Sequence, residues 1–314
     1  MEYAKLGSSD LNVSRIGFGC WAIGGHGYGA VDDGESTRAI RKALDLGVNF
    51  FDTADVYGFG HSEEILSKAL DSRRHDVVIA TKFGVRWDDS GRTFRDCSAK
   101  AVMEAIDGSL RRLKVDCIPL YQIHWHDRKT PLAETMEALR RCQVAGKVRY
   151  LGCSNFSLDL IGESRKNGRL ESIQMPYSIG QREAEEMLRT CHDHLGMGTL
   201  VYSILIRGLL SGKYGAEASF NGGDTRSRDE QFKGTLLARN LALSEALRSL
   251  SRRCGMSPVQ GAIRWVLNQP HVTSAIVGAK TAAQIEENVG AVDRILCSDA
   301  CLEELLRLAE EGES

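Results

Sequence analysis

Val77-Val78-Ile79-Ala80-Thr81-Lys82 and Ile118-Pro119-Leu120-Tyr121-Gln122-Ile123-His124 are the stretches that decide the fold. Each is a short, nearly continuous apolar run that closes on a charged or titratable side chain. A strand with one wet face alternates apolar and polar residues, whereas a parallel strand covered on both faces does not. Both runs read as the covered kind. Six more lie along the chain, at Ile16–Cys20, Val48–Phe51, Val148–Gly152, Ser172–Met175, Thr199–Ser203 and Thr273–Val277. Together with Val77–Thr81 and Ile118–His124 they make eight strands.

Amphipathic stretches separate them. Glu35–Leu46 carries Ala39, Ile40, Ala43 and Leu44 on one helical face and stops at Gly47. Thr130-Pro131 predicts an N-cap and a first helical residue for a helix ending near Gly146. Ser257-Pro258 repeats that signal before Ala262–Leu267, and Thr281 is expected to cap Ala282–Val292. Leu302–Ala309 reads as an extra C-terminal helix, and the segment before Ile16 as a hairpin turning at Ser8–Asp10. Strands and helices in strict alternation predict a closed (β/α)8 TIM barrel, an α/β fold, in preference to an open sheet. No linker, low-complexity segment or charge block interrupts the pattern. Residues 1–314 therefore read as a single domain, since such barrels commonly exceed ~250 residues. The longest irregular stretch, Ser203–Gly234, is of a length more often functional than accidental.

Composition narrows the partner. A formal net charge of −2 argues against a dedicated nucleic-acid or membrane-surface binder. No apolar run approaches the ~18 residues of a membrane helix. The opening Met1-Glu2-Tyr3-Ala4-Lys5 lacks the apolar core of a signal peptide. The nine cysteines are odd in number, scattered and free of any C-x-x-C pair, which predicts reduced thiols and a cytoplasmic setting. A small molecule is the expected partner; oligomeric state is not legible.

In such barrels chemistry gathers at the C-terminal ends of the strands. Here those ends carry Asp52 with Tyr57 five residues on, then Lys82, His124, Ser154-Asn155, Gln174 and Tyr202. Polar groups in otherwise apolar strands cost stability unless paired, so their recurrence at one end is informative.

The stretches Asn49-Phe50-Phe51-Asp52-Thr53-Ala54-Asp55-Val56-Tyr57-Gly58, Ala80-Thr81-Lys82, Tyr121-Gln122-Ile123-His124-Trp125, Leu151-Gly152-Cys153-Ser154-Asn155-Phe156 and Ile276-Val277-Gly278-Ala279-Lys280 resemble the aldo-keto reductase superfamily, in family order along essentially the whole chain. The resemblance implies a (β/α)8 barrel. It also implies an oxidoreductase that reduces an aldehyde or ketone to an alcohol, or the reverse, with NADPH (NADP+) and possible use of NADH. It gives Tyr57 the role of general acid/base, assisted by Lys82 and Asp52, and His124 that of orienting the carbonyl. A free tyrosine has a pKa of ~10, so a neighbouring ammonium that favours phenolate makes chemical sense. The resemblance further carries Ser154, Asn155 and Gln174 to the nicotinamide carboxamide and Tyr202 to its ring. Ser203, Leu205, Gly208 and Ser211 go to the pyrophosphate, Gly278 and Lys280 to phosphate, and Gln284, Glu287 and Asn288 to adenosine. Lys280 matches the family position that meets the 2′-phosphate, so the resemblance implies a preference for NADPH. Trp21, Tyr28, Trp87, Trp125 and His126 are the candidate walls of the substrate pocket. The chain departs from the family pattern at His126, where proline often follows His-Trp, and at Ile204 and Val277, which also replace proline.

Two other classes fit parts of the sequence. The family includes channel-associated β subunits, so a non-catalytic, cofactor-binding regulatory subunit is one alternative. His124 and His126 lie two apart on a strand end and share a face, which would suit a metal-dependent barrel hydrolase. That reading needs further ligands, and the expected site has no metal. Gly17-Phe18-Gly19-Cys20-Trp21-Ala22 matches G-x-G-x-x-A, but Gly24, Gly25, Gly27 and Gly29 forbid the helix a dinucleotide fold needs there.

Overall fold

The computed structural model describes residues 1–25, 27, 29, 31–292, 304 and 307. Tyr28 lies outside the described residues, as does the expected helix Leu302–Ala309 apart from Glu304 and Arg307. The chain opens on an antiparallel hairpin, β1 (Tyr3–Lys5) and β2 (Asn12–Ser14), paired Tyr3 to Ser14, with its turn where the sequence predicts it. The alternating units follow as β3 (Ile16–Gly19), α1 (Asp33–Asp45), β4 (Phe50–Asp52), α2 (His61–Leu70) and β5 (Val78–Phe83). A second hairpin, β6 (Val85–Trp87) and β7 (Thr93–Arg95), precedes α3 (Ala99–Leu113). Then come β8 (Ile118–Ile123), α4 (Leu132–Val144), β9 (Val148–Ser154), α5 (Leu158–Arg165), β10 (Ser172–Pro176), α6 (Glu185–Asp193) and β11 (Gly198–Tyr202). After a long loop, α7 (Gly234–Arg253) and α8 (Pro258–Leu267) lead to β12 (Ser274–Gly278) and α9 (Ala282–Val289).

Strands β3, β4, β5, β8, β9, β10, β11 and β12 pair in parallel in that order, and β12 closes onto β3 through Ala275 to Ile16 and Gly278 to Gly19. The eight strands expected from the apolar runs are these eight, and the barrel is the expected fold. Their ends shift for local reasons. Val48 does not start β4, because its N–H is taken by Ala43 O at 2.9 Å in the turn leaving α1. Lys82 and Ser154 lie inside β5 and β9, not beyond them.

Residues alternate between two apolar compartments. Phe51, Ile79, Tyr121, Ile123, Val201 and Val277 pack outward against the helices. Phe50, Val78, Ala80, Leu120, Leu200 and Ile276 point into the barrel and meet Leu6, Leu11 and Val13 of the first hairpin, which plug its N-terminal end. Each fully buried aliphatic side chain contributes about 1.5–3 kcal/mol, so this inner layer is a packed floor and not a pore.

Helix ends follow their chemistry with one correction. Asp32 and Ser98 cap α1 and α3, and Ser257 with Gln260 forms a capping box on α8. Thr130 does not cap α4. Its hydroxyl donates to Asp127 Oδ2 at 2.7 Å, and Pro131 occupies the cap position. Thr281 caps α9 as expected, but the helix stops at Val289 and residues 291–292 form a turn. No helix among the described residues is long and apolar enough to cross a membrane. Cys20, Cys97, Cys142, Cys153 and Cys191 are buried thiols, and burial raises the pKa of each, which makes them poor nucleophiles.

Candidate active site

Two residues above the packed floor, the inward positions turn polar: Phe50 gives way to Asp52, Ala80 to Lys82, Leu120 to Gln122 and Leu200 to Tyr202. The period of two along each strand thus lifts a polar layer onto an apolar one at the C-terminal end. Lys82 is fully buried. Its Nζ donates to Asp52 Oδ2 at 2.7 Å and to the Thr53 carbonyl at 2.9 Å. A buried ammonium costs several kcal/mol unless paired, and Asp52 supplies the pair. The other Asp52 oxygen accepts from Gln174 Nε2 at 2.8 Å, across the barrel, with Gln122 Nε2 at 3.5 Å.

The Lys82 Nζ lies 5.2 Å from the centroid of the Tyr57 ring. Tyr57 stands on the loop after β4, and sterics set its place. A Cβ on Gly58 would come 1.8 Å from Gly24 O, and Gly58 has φ of +60°, so the Tyr57–Gly58 backbone lies flat on Gly24. Ser62 Oγ, which is 3.0 Å from Thr53 Oγ1, donates to Cys20 O at 3.0 Å. Glu63, fully buried, accepts from Thr81 Oγ1 at 2.6 Å and Arg112 Nε at 2.7 Å, tying the loop's far end to β5 and α3.

The His124 ring meets Tyr57 edge-on at 5.7 Å, and its buried Nδ1 has no hydrogen-bond partner among the described residues. Burial first, then the Lys82 and Arg95 charges, push the His124 pKa well below the ordinary imidazole value. Trp21 stacks on Tyr57 at 6.2 Å and carries Arg207 over its ring at 5.1 Å. The four residues expected to do chemistry therefore sit together.

The residues expected around a cofactor fall into three neighbourhoods. Ser154 Oγ donates to Gln174 O at 3.0 Å, Asn155 Nδ2 to Ser154 Oγ at 3.0 Å, and Tyr202 OH to Asn155 Oδ1 at 2.7 Å. Burial, then the proximity of Tyr57, pushes the Tyr202 hydroxyl up to about 12. Ser203, Leu205, Gly208 and Ser211 form tight turns at the start of the long loop, with positive φ at Ser203 and Gly208 and Ser211 Oγ bonded to Gly208 O at 2.6 Å. At β12 and α9, Asn288 Nδ2 reaches Gly278 O at 3.4 Å and Gln284 Oε1 accepts from Lys280 N at 2.7 Å. Glu287 presents its carbonyl to Gln260 Nε2 at 3.2 Å. Burial lowers the Lys280 pKa, then the Arg226 charge lowers it further, Asp224 opposes and Lys213 adds to it. Arg226 and Lys213 thus add positive charge beside Lys280 and Asp224 opposes it, an arrangement that fits a phosphate-bearing group.

The pocket candidates separate. Trp87 packs on Phe59 at 5.5 Å, two residues beyond Tyr57, and Trp125 lies under Arg95 at 4.5 Å. His126 turns from His124: its Nε2 is 3.0 Å from Thr130 O and its ring meets Phe156 edge-on at 6.1 Å. The two imidazoles take different surroundings, and among the described residues no three His, Cys, Asp or Glu side chains are grouped as metal ligands. Sequence reasoning passed over Gln122, Arg95, Arg207, Lys213 and Arg226. Only Gln122 had a signal, since it shares the inward parity of His124.

The Aldo/keto reductase family profile matches residues 15–308. The aldo-keto reductase YhdN of Bacillus subtilis (strain 168) is 39% identical over 91% of this chain and 87% of its own length. The NADH-specific methylglyoxal reductase of Escherichia coli (strain K12) is 34% identical over 99% of both. The glycerol dehydrogenase AKR11B4 from Gluconobacter oxydans superposes with a TM-score of 0.89 at 36% identity, covering 99% of this chain and 95% of that one. The chain belongs to the aldo/keto reductase family, oxidoreductases that act on carbonyl compounds with nicotinamide cofactors.

Proposed function

We propose that this single barrel domain interconverts an aldehyde or ketone and its alcohol with NADPH, using Tyr57 as the group that gives or takes the proton at oxygen. The observation that carries the reading is the buried Lys82–Asp52 pair beneath the Tyr57 ring, with His124 edge-on to that ring. A positive charge next to a phenol favours its ionised form, so Lys82 makes Tyr57 a better acid near neutrality. Asp52 holds that ammonium in register, and Gln122 and Gln174 steady the Asp52 carboxylate. His124, kept neutral, hydrogen-bonds the carbonyl oxygen and orients it without adding a second charge beside Lys82.

Bound nicotinamide supplies or accepts the hydride. Ser154, Asn155 and Gln174 hold its carboxamide. A carboxylate only accepts, so Gln174 must turn its NH2 to Asp52, which leaves its Oε1 as the acceptor for the carboxamide N–H. Tyr202 gives the ring a flat face, Ser203, Leu205, Gly208 and Ser211 border the pyrophosphate, and Gly278, Gln284, Glu287 and Asn288 border the adenosine. Lys280, with Arg226 and Lys213 close by, takes the 2′-phosphate, which favours NADPH over NADH.

Tyr57→Phe keeps the ring and removes the proton. Turnover of a simple aldehyde should fall by about 10²–10⁴-fold while cofactor binding, followed by protein fluorescence, stays intact. Wild-type turnover in that variant would exclude Tyr57 as the acid, and cofactor binding with no carbonyl-dependent oxidation in the wild type would point instead to a regulatory subunit.

A further inference from the structure

The hairpin of β6 and β7 follows directly on β5, the strand that carries Lys82. Its register pairs Val85 with Arg95 and Trp87 with Thr93, so Trp87 and Arg95 share one face while Arg86 and Phe94 share the other. That first face turns to the site at two places. Trp87 packs on Phe59, beside Tyr57, and the Arg95 guanidinium lies 4.5 Å over the ring of Trp125, beside His124. Arg95 is near enough to His124 that its charge counts among the causes holding that imidazole neutral.

The neighbouring cations have their own counter-charges. Arg207 pairs with Asp229 at 2.9 Å, Arg86 with Glu104 at 2.9 Å and Asp96 at 3.6 Å, and Arg92 with Asp88 at 3.2 Å. Asp127, the carboxylate nearest along the chain to Trp125, accepts from Cys97 N at 2.9 Å, Lys129 N at 2.9 Å, Thr130 N at 2.8 Å and Thr130 Oγ1 at 2.7 Å. Among the described residues no carboxylate lies within ion-pair distance of Arg95, which rests on the indole alone. Stacking holds a guanidinium by its face and leaves the N–H edge for a planar or tetrahedral anion.

We propose that Arg95 reads a negative charge on the substrate, so that the carbonyl compounds this site handles best carry a carboxylate or phosphate at the end remote from the carbonyl. The inference rests on the reductase reading above, in which the carbonyl oxygen sits at Tyr57 and His124. The chain end then runs out along Trp125 toward the hairpin. The anion meets an ordered side chain whose flexibility is already reduced by its contact with the ring.

Paired substrates test it. Succinic semialdehyde against butanal adds a carboxylate to a four-carbon aldehyde, and glyceraldehyde 3-phosphate against glyceraldehyde adds a phosphate. The kcat/KM ratio within each pair is the readout, so a partly unfolded variant cancels from it. The wild type should favour the anionic member of at least one pair, and which pair does so separates carboxylate from phosphate. Arg95→Gln should lower that ratio about three- to tenfold, mostly through KM, and Arg95→Lys should retain part of it. Arg95→Glu should push it below one. Raising ionic strength from about 0.05 to 0.5 M should shrink the wild-type preference toward the Arg95→Gln value. A wild-type ratio at or below one in both pairs, or the same ratio in wild type and Arg95→Gln, overturns the inference and leaves the reductase reading standing. No turnover of any of the four compounds with either cofactor overturns both.

Discussion

Asp55, two positions before Tyr57, is buried, and its Oδ1 has no hydrogen-bond partner among the described residues. Burial, then the nearby Glu63 carboxylate, raises its pKa well above the ordinary value, while Arg112 pulls the other way. A raised carboxyl pKa means the folded chain holds a proton the unfolded chain releases above about pH 4. Stability contributed by that proton is present in acid and is lost as pH rises toward the folded-state pKa, by up to about 1.4 kcal/mol per pH unit. Asn imitates the protonated acid at every pH. Asp55→Asn should therefore unfold at higher temperature than wild type at pH 8 and converge with it near pH 4. A gap that stays constant from pH 4 to pH 8 would mean Asp55 is ionised in the fold. At this scale legibility follows cost. Asp52, Lys82 and His124 declare themselves because a charged or titratable group ending an apolar run needs a partner. Gln122 stays silent because a neutral amide inside a strand signals little until Asp52 is found 3.5 Å away. Arg95 stays silent because exposed arginines are common, and only the ring beneath it distinguishes this one.

Elements show the same divide. The barrel strands are readable because both of their faces are covered, whereas β6 and β7 are three-residue strands with exposed or half-exposed residues and no apolar run to mark them. The Thr130–Pro131 cap signal misleads because Asp127, three residues earlier, competes for the Thr130 hydroxyl. The loop between β4 and α2 carries a prediction of its own. Gly58 has φ of +60°, and a Cβ there would enter the carbonyl of Gly24, which is backbone and cannot rotate aside. Gly58→Ala must therefore push the Tyr57 loop off the segment after β3, breaking the Trp21–Tyr57 stack and moving the Tyr57 ring from Lys82. Strain of this kind costs of order 1–3 kcal/mol, and a 1 Å displacement at the reacting group is worth about 10²-fold in rate. Expression as a folded barrel by circular dichroism, with turnover down by at least tenfold, is the expected pair of results. A folded Gly58→Ala protein with wild-type kcat would show that the loop's seat on Gly24 does not position Tyr57.

Over the whole molecule, the proposed choice of NADPH would join parts far apart in sequence. Lys213 and Arg226 come from the long loop after β11 and Lys280 from the turn between β12 and α9. Thr225 N and Oγ1 both donate to Gly27 O at 2.9 Å, which ties that loop to the segment after β3. A ligand that bridges these parts stabilises the fold by RT ln(1 + [L]/Kd), so its affinity can be read from unfolding as well as from titration. NADPH and NADH differ only at the 2′-phosphate, and charge-assisted contacts to phosphate are the strong ones. Removing one partly shielded contact should cost about 1.5–3 kcal/mol, or roughly a 10- to 150-fold rise in Kd. Lys280→Ala should accordingly weaken NADPH far more than NADH, and the upward shift of Tm caused by saturating NADPH should shrink toward that caused by NADH. Arg226→Ala should move the same difference in the same direction, because its charge already bears on Lys280. Both effects should fade at high salt, where exposed cations are screened and only the buried share of the contact survives. Titration of the two cofactors by tryptophan fluorescence yields the dissociation constants directly. Equal losses for NADPH and NADH in Lys280→Ala would mean that the cluster grips the part the two cofactors share, and that the 2′-phosphate is read elsewhere or not at all.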